Sequence, residues 1–379
     1  MNYSNAIETA LEAANSAILL NSAAQVSRAA KAWQRSEVLG LDTEFVRERT
    51  YYANIGLVQL SDGHSVWLVD PLVDGALGPL KSLLENQSIS KIVHSPSEDL
   101  EVLLHAVGAA PEPMIDTQMA CALLGQPLQM GYHSAARWLL DVNVDKDQTR
   151  SNWCARPLRA AQLRYAALDV CLLPLMWEKL KHGLDEKSRL QWLEEDCNKT
   201  LQKSRQALDV SNSWQRIRGN SRLDGTGLAI LQALAQWREH EARRRNLPRG
   251  FVMKDPVLMA ISNRRMDSVT ALESIDDLHP RAIERHGETI SRLVKSVIAS
   301  GHQLETVEPM PPAMRKQLLA MREMVQAKAK QLGVEAAVLA SRRDLESLLQ
   351  NVEKEWPEKL QGWREHELGP DFETILNQT

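Results

Sequence analysis

The chain has 379 residues, 44% of them hydrophobic and 25% charged, with a formal net charge of −4. That is the composition of a folded globular protein, too long for one core of ordinary size, so two or three domains are expected. No run of about 18 apolar residues and no basic head followed by an apolar stretch occurs, so no membrane span and no secretory signal are expected, and the cytoplasm is the expected compartment.

Cys121, Cys154, Cys171 and Cys197 are widely spaced, without a C-x-x-C pair or a histidine at zinc-ligand spacing, and read as reduced thiols. The small net charge hides an asymmetry. Residues 1–200 carry 18 Lys and Arg against 25 Asp and Glu, whereas residues 201–300 carry 17 against 11. An acidic body that collects cations, joined to a basic region that holds a polyanion, fits this pattern; a basic helical face that is simply solvated fits the second half equally.

In chain order, residues 6–34 are rich in Ala, free of Gly and Pro, and predict one or two helices. Val38–Leu41 is a short aliphatic strand that ends in Asp42-Thr43-Glu44. Ile55–Leu60 and Val66–Asp70 flank an Asp62-Gly63 turn and form a hairpin. Leu77–Leu84 predicts a helix, Lys91–His94 a strand, and Ser97–Val107 a helix capped by Ser97 with acids in its first turn. Met114–Thr117 leads into a helix through Leu124, and Tyr132–Leu140 is another. Asp145–Trp153 is a polar loop carrying Lys146 and Arg150. Ala160–Leu180 is one helix with Tyr165 and Asp169 on one face, followed by a charged helix over 181–200 and a polar connector over 201–222.

From Leu228 the chain is helical throughout. Leu228, Leu231, Leu234 and Ala235 form an apolar stripe. Trp237-Arg238-Glu239 recurs as Met321-Arg322-Glu323, and Ala260–Arg265 has a counterpart in Leu339–Arg343. These repeats predict two small helical domains, with Pro309, Pro311 and Pro312 at the join.

Asp42 and Glu44 point to one face of a strand, where two carboxylates repel unless a cation lies between them. As a tripeptide the motif is equally a solvated cap. Asp99 and Asp169, with Tyr165 one turn before Asp169, change its weight. Four carboxylates and a tyrosine match the needs of a two-metal phosphodiester hydrolase, in which hard Mg²⁺ or Mn²⁺ takes oxygen ligands, one ion activating water and the other stabilising the leaving oxygen.

The strings Leu41-Asp42-Thr43-Glu44-Phe45, His94-Ser95-Pro96-Ser97-Glu98-Asp99 and Tyr165-Ala166-Ala167-Leu168-Asp169 resemble the three motifs of the DEDD exonucleases in their tyrosine subclass, and among them the ribonuclease D family. The resemblance implies a mixed-sheet, ribonuclease H-like α/β exonuclease domain over 1–200, a connector over 201–222, and two small all-α HRDC-like domains over 223–303 and 310–379. It implies Asp42, Glu44, Asp99 and Asp169 as ligands of two divalent ions (Mg²⁺ or Mn²⁺), Asp42 bridging them, and Tyr165 orienting or deprotonating the attacking water. The implied reaction is 3′-5′ removal of nucleoside 5′-monophosphates from RNA with an accessible 3′ end, such as tRNA precursors, by a monomer with no membrane partner. A DNA exonuclease of the same superfamily, or a scaffold with a lapsed site, is the alternative.

Candidate substrate contacts are Thr43, His94, Arg150, Trp153, Arg243 and Arg244. His94 either meets the terminal nucleotide or satisfies a backbone group. Trp153 either stacks on a base or fills the core. The Arg243-Arg244-Arg245 run either grips phosphates or faces solvent. Gln59 is expected to serve a hydrogen bond within the hairpin.

Overall fold

The computed structural model describes residues 3–144, 151–206, 209–306, 310–351 and 355–376. In order, its first elements are α1 (Tyr3–Asn15), β1 (Ile18–Leu20), α2 (Ala23–Trp33), β2 (Val38–Val46), β3 (Asn54–Ser61), β4 (Val66–Val69), α3 (Leu77–Leu84), β5 (Ser90–Val93), α4 (Ser97–Ala106) and β6 (Met114–Asp116). Then come α5 (Thr117–Leu123), α6 (Tyr132–Leu140), α7 (Ala160–Cys171), α8 (Leu173–Glu186) and α9 (Leu190–Gln206).

The six strands form one mixed sheet in the order β1-β4-β3-β2-β5-β6. Strands β2, β3 and β4 run antiparallel, while β1 pairs β4, β5 pairs β2 and β6 pairs β5 in parallel. All but the first residue of β3 and every residue of β4 are buried, which is why both strands read as near-continuous apolar runs.

Two differences from the sequence reading have local causes. The stretch expected to be helical over 6–34 is broken by β1, because Ile18, Leu19 and Leu20 pair with Trp67, Leu68 and Val69; a sheet partner outweighs helix propensity for three aliphatic residues. The helix expected over Ala160–Leu180 divides at Leu172, where Pro174 occupies the first turn of α8 and cannot donate to a continuing helix. A third concerns α4: Pro96, not Ser97, is its cap residue and no side chain caps it.

The chain divides into two compact units, one comprising Met1–Val46, Asn54–Arg205 and Met310–Thr379, the other Arg47–Ala53 and Gln206–Pro309. The second unit contains α10 (Gly225–Arg245), α11 (Arg249–Val252), α12 (Asp255–Arg264), α13 (Val269–Leu272) and α14 (Pro280–Ser300). Leu231, Leu234, Ile261, Ile290 and Val294 lie in its core.

The remaining helices are α15 (Pro312–Leu332), α16 (Ala336–Leu339), α17 (Arg342–Gln350) and α18 (Trp363–Leu376). This segment, expected from sequence as a small helical domain, is grouped in one compact unit with the sheet. Arg364 pairs with Asp196 of α9, both buried, its Nη2 donating to Oδ2 at 2.9 Å. Trp363 stacks on Trp192 with centroids 4.3 Å apart, and Arg189 Nη2 donates to Leu332 O at 2.6 Å.

The expected pairing of Ala260–Arg265 with Leu339–Arg343 does not hold. Ser262 is buried near the end of α12, which Arg265 closes in a left-handed conformation, whereas Ser341 opens α17 as its N-cap.

Candidate active site

Asp42, Thr43 and Glu44 lie within β2 rather than beyond its end. Asp42 stands opposite Gln59 and Glu44 opposite Leu57, and the register slips between Glu44 and Phe45. Such an irregularity bends a strand and re-aims its side chains, here next to the paired carboxylates. Asp99 sits in the first turn of α4. Tyr165 and Asp169 project from α7, one turn apart. Thr43 is buried and its hydroxyl donates to Asp99 Oδ1, joining β2 to α4 behind the acids.

The electrostatics show that these groups converge. Burial first, then Asp99, Asp169 and Glu44, push the Asp42 carboxyl far above its usual range, against a single favourable hydrogen bond from the Thr43 backbone. Burial, then Asp169 and Asp99, carry Glu44 to about 8. Burial also raises Asp99, with the Thr43 hydroxyl acting in the opposite sense. Asp169 is raised by burial to about 7, and hydrogen bonding from the Tyr165 hydroxyl is the influence that lowers it. The Tyr165 phenol is pushed above its ordinary value by burial and then by Asp169, Glu44 and Asp42. Like charges this close cannot all ionise without a compensating cation.

Among the described residues no three acids, histidines or cysteines are already drawn into a closed metal shell, yet the four carboxylates stand near enough to act on one another strongly. Asp169 Oδ1 is buried without a hydrogen-bond partner. An all-oxygen donor set with such an orphaned carboxylate oxygen fits a hard divalent cation.

The expected substrate contacts fare differently. His94 has both ring nitrogens engaged, Nδ1 with Thr117 Oγ1 and Nε2 with Met130 O, each at 2.8 Å, and burial lowers its pKa to about 4. It is a neutral structural imidazole, not a free contact. Trp153 is 1% exposed, and a Cβ on Gly56 would lie 2.7 Å from its Cβ and carbonyl oxygen. No face of its ring is open to a base; it packs instead near Tyr165, centroids 6.2 Å apart. Arg150 lies outside the described residues.

Arg243 and Arg244 belong to the other compact unit. There Arg243 Nε donates to Tyr51 Oη at 3.1 Å, and Arg244 donates twice to Glu241. Both are held by neighbours of their own unit.

Two features escaped the sequence. His133 on α6 places Nε2 3.8 Å from Asp169 Oδ1; a histidine early in a helix carries no distinguishing pattern. Arg156 donates to both carboxylate oxygens of Asp70 at 2.6 Å, to Gly56 O at 2.7 Å and to Trp153 O at 2.8 Å. It fastens the loop that carries Trp153, a role that no spacing reveals.

A 3′-5′ exonuclease joined to a nucleic-acid-associated helical domain is the class that this fold and site define: the 3′-5′ exonuclease family matches residues 18–185 and the HRDC domain matches residues 227–294. The relatives are more specific. The chain is 35% identical over 93% of its length to the ribonuclease D of Pseudomonas paraeruginosa, covering 95% of that protein. It is 33% identical over 90% of its length to the ribonuclease D of Escherichia coli K12, covering 93% of it. The crystal structure of Escherichia coli RNase D, described as an exoribonuclease involved in structured RNA processing, superposes with a TM-score of 0.87 at 31% identity, covering 96% of this chain and 99% of that one. The chain therefore belongs to the ribonuclease D family and is a 3′-5′ exoribonuclease. Exonucleases of this superfamily use divalent metal ions.

Proposed function

We propose that the protein hydrolyses the 3′ ends of RNA to nucleoside 5′-monophosphates with two divalent ions, Mg²⁺ or Mn²⁺, held by Asp42, Glu44, Asp99 and Asp169. Bound there, such ions supply the positive charge that displacement at phosphorus requires and lower the pKa of water. Asp42, whose carboxyl feels all three other acids, would be the ligand shared by the two ions. Thr43 fixes the Asp99 carboxylate through its hydroxyl and is a positioning residue, not a substrate contact. Tyr165, its phenol pushed upward by burial and by the acids, keeps its proton at neutral pH. It orients the nucleophile and Asp169 and does not serve as a base.

The substrates in this reading are RNAs with an accessible 3′ end, tRNA precursors foremost, and the protein works as a monomer. The segment from Met310 on is a second HRDC-like copy. Helices of 21 and 4 residues are followed by one of 10 in the first copy, and helices of 21, 4 and 9 follow one another in the second. A left-handed residue, Asn246 or Gly333, ends each long helix.

The observation that carries the function is the convergence of four mutually raised carboxylates with Tyr165. The test is digestion of end-labelled tRNA precursor and of matched DNA with Mg²⁺, Mn²⁺ or EDTA. Mononucleotide release from RNA, abolished by EDTA and by Asp42→Asn, is expected. Metal-independent release would overturn the mechanism, and equal or faster DNA digestion the substrate class.

A further inference from the structure

Gln59 lies in the middle of β3 with none of its surface exposed, and neither Nε2 nor Oε1 has a hydrogen-bond partner. Among the described residues no other side chain has two such atoms. The hairpin hydrogen bond expected of it is not made. A buried amide without partners is a standing cost that an aliphatic residue of the same size would not incur, so its presence needs a reason outside folding.

Its position supplies one. In the sheet Gln59 stands between Asp42 on β2 and Leu68 on β4. Cross-strand partners present their side chains on the same face, with Cβ atoms about 5 Å apart. Residues two apart on β2 share that face, and at Gly40 a Cβ would meet Val170 O and Leu173 Cβ. The face is thus the one covered by α7 and α8, where Asp169 also resides. The amide is enclosed beside the central carboxylate of the site, within a side chain's reach of it.

An amide suits that place. Lysine or arginine would neutralise Asp42 and compete with a cation for it, whereas an uncharged N–H donor fixes the plane of an ionised carboxylate and leaves its charge available. We propose that Gln59 is a positioning residue for Asp42: by rotating about its side-chain bonds, it donates Nε2–H to one carboxylate oxygen of Asp42 and aims the other at the bound cation. The inference rests on Asp42 being a metal ligand.

The experiment uses the full chain with Gln59→Met, which keeps length and removes the donor, and Gln59→Leu as a second variant. Mn²⁺ affinity is measured by calorimetry, kcat and KM on RNA by steady-state kinetics, and the melting temperature in EDTA. The expected result is Mn²⁺ binding weakened about 10–100-fold and kcat lowered with KM unchanged, while the melting temperature in EDTA stays level or rises. Loss of an unsatisfied amide and loss of activity then carry opposite signs. Wild-type Mn²⁺ affinity and kcat in both variants would overturn the proposal, as would a fall in melting temperature with Mn²⁺ affinity intact, which marks a purely structural residue. Mn²⁺ binding that survives Asp42→Asn would instead refute the carboxylate reading itself, independently of either Gln59 variant.

Discussion

Asp42 and Asp70 are acids of the same sheet, set in opposite surroundings. Asp70, just after β4, is buried, yet two hydrogen bonds from Arg156 and one from the Leu72 backbone outweigh that burial and hold its carboxyl below the ordinary range. Glu239, met by Arg249 and Tyr51, is likewise lowered in spite of burial. Around Asp42 the principal influences raise the pKa, with one backbone hydrogen bond against them, and the side chains that act are acids. Where charge is structural, this chain supplies the opposite charge from its own residues. At the carboxylate cluster, no lysine or arginine of the described residues is among the principal influences on Asp42, Glu44, Asp99 or Asp169. A divalent cation of the kind that exonucleases of this superfamily use would relieve so unfavourable an arrangement.

The sharpest way to break that contrast is Asp42→Asn. Activity on RNA should fall by about 10³-fold or more, while the melting temperature in EDTA rises because a buried carboxyl that can ionise only at a cost has gone. The pH dependence follows from the same acids. Glu44 is carried to about 8 and Asp169 to about 7 in the folded protein, against about 4.3 and 3.9 for the free groups. Between those limits the folded state holds protons that the unfolded chain has released, so in EDTA stability falls as pH rises from about 4 to 8. Thermal melts across that range should show the slope, Asp42→Asn should lessen it by removing one raised carboxyl while Glu44 and Asp169 keep theirs, and saturating Mn²⁺ should reverse it by competing with protons. A melting temperature that climbs with pH in EDTA would contradict the cluster's electrostatics.

On the compensated side, Arg364→Met leaves Asp196 buried without its partner. The guanidinium is 3% and the carboxylate 6% exposed, a setting in which removing one partner costs about 3–5 kcal/mol. Denaturant unfolding should register that loss, with activity per folded molecule retained. Tyr165→Phe is the complement: it removes a hydroxyl that acts on Asp169, should lower kcat about 10²-fold, and should leave unfolding nearly unchanged. If Arg364→Met abolished turnover in folded protein, the division between structural and catalytic charge would fail.

The sequence made the carboxylates legible because their chemistry is expensive: acids in an aliphatic strand and a Tyr-x-x-x-Asp on a helix have few structural uses. Charge runs and aromatics are cheap, and each leaves two readings open. Of the two offered for Trp153 and His94, the geometry favours the structural one, since Trp153 is enclosed beside Gly56 and His94 has both nitrogens bound. Strand β1 was invisible because its partner lies almost fifty residues on, at Trp67–Val69. The last helices were expected to stand apart because nothing in Asp196 or Arg364 announces that one meets the other across 168 positions. Pairings between distant residues are set by the fold, and local pattern does not encode them.

The smallest expected effect tests the weakest of those readings. Arg244 is highly exposed and bound through Glu241 three residues away on the same helix, a surface pair of the kind that contributes little to folding. If it also held a backbone phosphate, Arg244→Ala would weaken RNA binding evenly across sequences and reduce the salt dependence of log K by about one unit. Its contact with Glu241 already answers the positive charge, so the expected result is an unchanged salt slope and an unchanged unfolding midpoint. Arg243 differs, since its guanidinium lies 5.7 Å from the Tyr51 ring centroid and its Nε holds the Tyr51 hydroxyl. Arg243→Ala should loosen Tyr51 and lower stability without the phosphate signature. A salt slope that drops for Arg244→Ala and not for Arg243→Ala would return the basic run to the RNA-binding surface and show that exposure, not partnering, decides which of these arginines meets the substrate.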